Sequence, residues 1–592
     1  NGLNGSLEIG SAIYLHMKQM NIKIMALSLT LGCFSCSDVL DKKPLDKFSE
    51  DDIWGSPELT QAFIYPTLND AARKLVNDDS RTDNDVIVDR SGDSKVNKEQ
   101  IDRYYDAGWN AYDESVGLDV YEGIRNCNLV LENMKNSSFL EKDKTYFTAQ
   151  AKMLRAMIYY SRARLFGKLM IVDRLIDKDE NMEFPRTNTI KETYDFILKD
   201  LQEAAPDLPV TLSNQQGMLT QGAAYALIAE VALHGAAYIE TGQNDYYMIA
   251  KEASEALFNL NAYELDTDYE KMFNDFDYAL NSKEIIFAQW EPENGTTFAD
   301  TWMQGLIPNV NNSKIIDEAL PKLNDSFEGW VSMLPSVDLV NTYQVIDKDG
   351  KAKDWDKTSY YQDYKVNGGY VSQTIYKNRD ARFYSTIVYD STQYFNSLIS
   401  TRKLGNLHWD SRIGGDWGIA LTGYLYRKGV YTKKPLWYAD PTYYHYIIMR
   451  LGRSYLNYAE TMLRLNDANT AIEYINKTRT AHGKLPALPT GLPIEEVWKE
   501  YKRERRLELV HESDRYWSLL RWGKADGKDI VEELTKVHQS ISISEDGKSF
   551  EHILLPYRSS ENERIFTKKR YLFPVPQSER DLNPSLDQND LW

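Results

Sequence analysis

The sequence predicts a mainly α-helical protein, in which tetratricopeptide-like helix pairs form a scaffold carrying large irregular loops and a few short strands. Three observations lead there. Apolar residues recur at helical spacing along much of the chain, small residues recur where two helices would touch, and a long central stretch lacks helical periodicity.

In chain order, the first element is a targeting pattern. Met17-Lys18-Gln19-Met20-Asn21-Ile22-Lys23 supplies a basic start, residues 24–34 an apolar run, and Ser35-Cys36-Ser37-Asp38 a cysteine among small residues. That is the arrangement of a lipoprotein secretion signal. The run is too short to span a bilayer, which takes about 20 apolar residues. Residues 1–35 therefore read as upstream sequence and signal peptide, starting at Met17 or Met20, and residues 36–50 as a lipidated polar tether. Cys33 competes with Cys36 as the acylated residue, and Cys36 is favoured because a polar tether follows it directly. Two acyl chains at about 0.8 kcal/mol per buried CH₂ give stable anchoring.

The chain has three cysteines, so acylation at Cys36 leaves Cys127 without an intrachain partner. Stability must come from a large core, and 592 residues with 42% hydrophobic content supply one. A net charge of −19 argues against nucleic acid and against adhesion to anionic lipid.

Helical spacing marks residues 120–134, 147–166, 193–205, 221–239, 246–260, 446–465, 468–480 and 494–522. Gly222, Ala223, Ala224, Ala226, Ala229, Ala232 and Gly235 let neighbouring helices approach closely, as tetratricopeptide-type pairs do. Residues 51–260 form an N-terminal helical region. Residues 261–592 form a C-terminal region, loop-rich to about residue 443 and then helical, in one compact domain with the first. Short strand pairs are expected at 383–389 and 423–431. Loops on a rigid scaffold are where binding function concentrates.

Several motifs then fall in order. They are Ser37-Asp38-Val39-Leu40-Asp41; Tyr121-Glu122-Gly123-Ile124-Arg125-Asn126; Leu154-Arg155-Ala156 with Tyr160 and Phe166-Gly167; and Asn378-Arg379-Asp380-Ala381-Arg382-Phe383. Arg450-Leu451 with Tyr455-Leu456-Asn457-Tyr458-Ala459-Glu460, then Glu504-Arg505-Arg506-Leu507-Glu508-Leu509, and finally Phe573-Pro574-Val575-Pro576-Gln577 complete the series. Together they resemble the SusD/RagB family of surface lipoproteins, over roughly 550 residues. The resemblance implies a lipid-anchored protein of the outer-membrane surface. Such a protein captures nutrient, binds without catalysis, and delivers its ligand to a SusC-like TonB-dependent transporter.

Read as residues, Glu504, Arg505, Arg506 and Glu508 lie three or four apart on one helix, and opposite charges there pair along its face or with a neighbour. Phe573-Pro574-Val575-Pro576 reads as a rigid strap packed on the scaffold. No HExxH, GxSxG, P-loop or EF-hand spacing is present, and the eight histidines form no zinc pattern. No cofactor and no catalytic residue are expected. Asp266 with Asp268, and Asp347 with Asp349-Gly350, read as solvated turns in preference to calcium loops.

With 13 Trp and 40 Tyr, most aromatics belong to helix packing. Those in polar loops suit stacking on sugar rings, with Asn or Arg bonding the hydroxyls. Trp302, Trp330 and Trp290 are the stacking candidates, and Arg90, Asn309 and Asn311 the hydrogen-bonding ones. Trp417 and Tyr424 form a second aromatic-glycine loop. The expected function is glycan capture, acting as a lid over the transporter. The alternatives are peptide capture, a helical-repeat adaptor, or a surface glycoside hydrolase, which needs two carboxylates about 5 to 9.5 Å apart.

Overall fold

The computed structural model describes residues 49–76, 95–97, 110–112, 117–118, 120–211, 217–312, 319–411, 420–556 and 564–592. They fall into two units, divided after Thr60. In the first, a short helix Glu50–Gly55 starts at Ser49, whose hydroxyl accepts the Asp52 amide while the Asp52 carboxylate accepts the Ser49 amide. That reciprocal capping satisfies two donors a helix start leaves open.

Among the described residues of the second unit, the stacked helices are α1 (Tyr121–Lys135), α2 (Glu141–Phe166), α3 (Ile190–Ala204), α4 (Gln221–Gly235), α5 (Gln243–Asn259), α6 (Leu451–Arg464), α7 (Ala468–Ala481) and α8 (Ile494–Glu508), followed by α9 (Arg515–Ala525). Each of α1 to α5 packs on the next, α6 packs on both α4 and α5, and α6, α7 and α8 pack on one another. The C-terminal helices thus extend the N-terminal stack, although nearly two hundred residues separate them in sequence. Side-chain oxygens of Thr189, Thr220 and Asp467 cap α3, α4 and α7, as the preference for such residues at helix starts requires. The small-residue stripe on α4 has the expected consequence. A Cβ on Gly222 would fall 2.1 Å from the Tyr263 hydroxyl, and one on Gly235 2.6 Å from the Tyr194 ring.

Two helical expectations differ from the structure. Residues 444–450, whose end overlaps the expected helix 446–465, form a strand instead, β4 (Tyr444–Arg450), paired antiparallel with β1 (Ile285–Glu291). Tyr446-Ile447-Ile448 is aromatic and β-branched, and every residue of β4 is buried, so its apolar run matches a covered strand as well as a helix. The expected helix 494–522 breaks between Glu508 and Arg515, where His511 and Ser513 adopt positive φ. The expected strand at 383–389 opens instead as a helix, Ala381–Thr386, and only Ile387–Val388 pairs, with Leu425–Tyr426. The proline strap does pack on the scaffold. The Phe573 amide donates to Leu165 O at 2.7 Å, Val575 is fully buried, and Asn589 Nδ2 donates to both Phe166 O and Phe573 O.

The motif charges form a buried lattice, and most of its bonds run between elements. Arg450, at the end of β4, reaches Glu284 and Glu508 at 2.7 Å each and Glu512 at 2.8 Å, with all these side chains at most 2% exposed. Arg382 pairs with Asp380, Glu504 and Glu508, Arg505 with Asp514, and Arg521 with Glu460. Glu504 and Glu508 therefore turn away from the arginines of their own helix and take partners on other segments. His482 completes the lattice, with Nδ1 2.7 Å from Glu508 and Nε2 3.2 Å from Glu284. Burial opposes its charge, but the Glu508 and Glu284 carboxylates outweigh burial and raise its pKa from 6.5 to about 10.

A raised folded-state pKa contributes stability that is complete below the ordinary value of 6.5 and is lost as pH rises through about 10. In urea denaturation at pH 6, His482→Gln is expected to cost about 3–5 kcal/mol, because it leaves two buried carboxylates short of a cation. The gap between wild type and variant is expected to narrow as pH passes through about 10. A gap that does not change with pH would show that His482 is neutral in the folded protein.

Candidate functional site

Between β1 and β4 the chain leaves the stacked helices for loops with short helices and strands, and parts of these loops are tied together in two zippers. In the first, β2 (Asn309–Val310) pairs with β3 (Phe327–Glu328), the Gly329 amide donates to Pro308 O, and the Trp330 amide to Gln304 O. In the second, the amides of Phe298 and Ala299 donate to the carbonyls of Asp440 and Tyr438, and Thr442 donates to Thr296. A carboxylate joins the zippers, since Glu328 accepts the Tyr438 amide at 2.6 Å. The loop of residues 431–443 is also pinned at its foot by the 2.9 Å pair between Lys433 and Asp275. Burial raises the Asp275 pKa, but the Lys433 ammonium and backbone amides hold it below the usual carboxylate value.

On this framework three large aromatics point to solvent: Trp330 at 44% exposed, Trp437 at 49% and Tyr438 at 55%. Tyr443 lies further along the same loop, also exposed, with its ring 4.9 Å from that of Phe276. Gly329 sets the position of Trp330. A Cβ there would lie 1.9 Å from the backbone oxygen of Ile307, so no larger residue fits without moving the hairpin. The Gln304 amide, oriented to satisfy both its ends, accepts the Trp330 indole N–H at 3.2 Å and donates to Ala299 O at 3.3 Å. The indole edge is thus held while part of the ring remains open to ligand.

The sequence candidates divide. Trp330 is exposed, and Asn309 and Asn311 are half-buried on and next to β2, whose partner β3 ends two residues before Trp330. Trp302 is not available for stacking. It is 4% exposed, stacked on Tyr446 and edge-on to His511, because it opens a short helix, Trp302–Leu306, that turns its apolar side into the core. Trp290 is half-buried on β1, stacked on His445 across the strand pair at 5.2 Å. Burial lowers the His445 pKa to about 4, so the ring beneath Trp290 is neutral, with Nε2 bonded to Met272 O. Tyr424 is likewise core, 1% exposed and bonded to the Tyr376 hydroxyl. Arg90, Trp417, Cys33 and Cys36 lie outside the described residues.

Trp437, Tyr438 and Tyr443 were not singled out from the sequence. Their signal is the stretch Lys433-Lys434-Pro435-Leu436-Trp437-Tyr438-Ala439-Asp440-Pro441, adjacent aromatics between two prolines in a charged loop. Among the described residues one group has metal-ligand types close together, Glu284, His482 and Glu508. Its cation positions are already filled by His482 itself and by Arg450. Asp347 is also occupied, by Lys353 and by the backbone and hydroxyl of Ser359.

The model of the SusD family matches residues 283–592, and that of the family described as starch-binding associating with outer membrane matches residues 38–233. A SusD-like protein of Bacteroides ovatus is 23% identical over 60% of this chain and 63% of its own length. SusD-like protein P38 of Formosa agariphila is 22% identical over 86% and 92%. Among solved structures, a SusD-like protein of Bacteroides fragilis superposes with a TM-score of 0.73 at 24% identity, over 93% of this chain and all of that one. A SusD-like carbohydrate-binding protein of the same species gives 0.70 at 20% identity, over 90% and 100%. A laminarin-binding SusD-like protein gives 0.58 at 18% identity, over 91% and 100%.

Two substitutions separate site from core. Trp302→Ala is expected to cost about 3–5 kcal/mol in denaturant titration, as truncation of a buried tryptophan does. Gly329→Ala is expected to leave the helices intact by far-ultraviolet circular dichroism while shifting tryptophan fluorescence, because the clash falls on the hairpin beside Trp330.

Proposed function

The chain belongs to the SusD family, and from that premise we propose that it captures a glycan on the Trp330, Trp437 and Tyr438 surface. The carrying observation is the exposure of three large aromatics on loops held by backbone hydrogen bonds. A flat C–H face of a sugar ring displaces water from an indole or phenol face, and rings with few rotatable angles lose little entropy in doing so. Asn309 and Asn311 are the nearest sequence candidates for bonding hydroxyls, and Arg90 is retained as a further one. Trp290 has one face taken by His445 and stays at the margin of the proposal.

We further propose that the protein is held at the outer-membrane surface by a lipid on Cys36. It delivers its ligand to a partner TonB-dependent transporter and acts as a lid. A tether of about 15 residues keeps the domain at high effective concentration over its partner, so capture and delivery need no tight contact between the two. The protein binds without turning over its ligand. Two similar proteins named as carbohydrate-binding and laminarin-binding support the ligand class.

Isothermal titration of residues 37–592 against plant, host and microbial polysaccharides and a mixed peptide pool tests the reading. Saturable binding to a polysaccharide is expected, with Trp330→Ala or Trp437→Ala costing about 2 kcal/mol, or about thirtyfold in Kd. Binding only to peptides, or polysaccharide binding indifferent to both substitutions, would overturn it.

A further inference from the structure

Although the chain is acidic, four lysines gather in one cleft away from the aromatic loops. A cleft of about 470 Å³ is lined by Lys168, Lys524, Lys568 and Lys569, with Glu240 and Asp590 as the only acidic residues in its wall. Its volume lies within the range of small-molecule sites. It is built from the end of α2 and the start of α3, Glu240 after α4, the end of α9, and residues 568–572 and 588–591 on either side of the strap.

The charges in the wall are unevenly satisfied. Lys168 pairs with Asp587, and Lys568 with Asp529 at 3.0 Å. Glu240 is turned to the start of α3, where it accepts the amides of Ile190 and Lys191. Lys524 and Lys569 make no ion pair among the described residues, and their ammonium groups lie over aromatic rings, Tyr571 at 5.6 Å and Trp592 at 4.1 Å. Burial and then the charges of Lys568 and Arg570 respectively lower the pKa of both, and for Lys524 they outweigh the opposing Asp590 and Glu240 carboxylates. Two partly desolvated ammonium groups lining one cleft, each beside another cation, are stabilised by an anion bound in that cleft. The surrounding net charge of −19 makes such a site local, since long-range steering disfavours anions.

We propose that this cleft is an anion site, separate from the aromatic surface, in which Lys524 and Lys569 hold the carboxylate or sulfate group of a small acidic ligand. A rigid floor supports them. Tyr571 donates to Lys528 O at 2.7 Å, and the Trp592 indole N–H is shared between Lys569 O and Leu572 O, so the rings that position both lysines are themselves fixed.

Residue-resolved acetylation read by mass spectrometry tests the site in the whole chain, with sodium sulfate and sodium glucuronate as separate probes and chloride at matched ionic strength as control. With either probe at about ten times its Kd, acetylation of Lys524 and Lys569 is expected to slow about tenfold. Exposed Lys433 should be unaffected. Protection by glucuronate alone or sulfate alone supports the site and identifies the group. Equal rates in probe and chloride would overturn the proposal. So would probe binding, measured by calorimetry, that persists in a folded Lys524→Met, Lys569→Met double variant, since methionine keeps most of the stem and removes only the charge. Trp330→Ala should leave protection unchanged, which keeps this test independent of the glycan reading.

Discussion

The buried pairing of Arg450 with Glu284 holds the rest of the molecule in order. Glu284 immediately precedes β1 and Arg450 closes β4, so the 2.7 Å bond between them clamps the two points where the chain leaves and re-enters the helical scaffold. The Leu451 amide adds a bond to Glu284 O at 3.0 Å on the same side. Everything between, including both zippers and the aromatic surface, is in effect one long insertion whose base is closed by this clamp. Without it the loops would share no common frame, because their own strands are only two or three residues long at most points.

Such a clamp is expensive to form. Removing a carboxylate or guanidinium from water costs several kcal/mol per ion, which attraction offsets only when the remaining lone pairs and N–H groups are also used. The lattice meets that condition. Arg450 spends its donors on Glu284, Glu508, Glu512 and the Glu508 carbonyl. Glu508 in turn receives Arg450, Arg382 and His482. Each ion is shared among several elements, so α8, the segment after it, β4 and the residues around Arg382 can settle in only one relative arrangement.

The proposed binding surface and the proposed anion cleft use this frame differently. The aromatic surface stands on the inserted loops, where the backbone bonds of Gly329, Trp330 and Tyr438 hold rings outward. The lysine cleft stands on the scaffold's own seam, where the strap of residues 573–576 crosses the end of α2 and the last residues return beside Arg186, which bonds Asp587 and Asn589. Aromatic faces in one place and concentrated positive charge in the other are suited to different chemical groups.

Much of the scaffold was legible in the sequence because helical periodicity and small-residue stripes are local signals. A face that must be buried writes its spacing into the residues, as α3 and α4 do, and the motif charges announced ion pairs with a neighbour. What the sequence left open was decided by partners distant along the chain. Residues 444–450 read as helix or strand until β1 is laid beside them. Trp302 and Trp330 have similar loop contexts, and only the short helix that buries one and the Gly329 turn that exposes the other separate them. Sequence by itself determined the fold class, the paired helices and the family, since these follow from repeating local pattern and ordered motifs. Only tertiary structure decided which aromatics face water and which carboxylate each arginine takes, because exposure and ion pairing depend on separate segments brought together, from nine residues apart for Arg505 and Asp514 to 166 for Arg450 and Glu284.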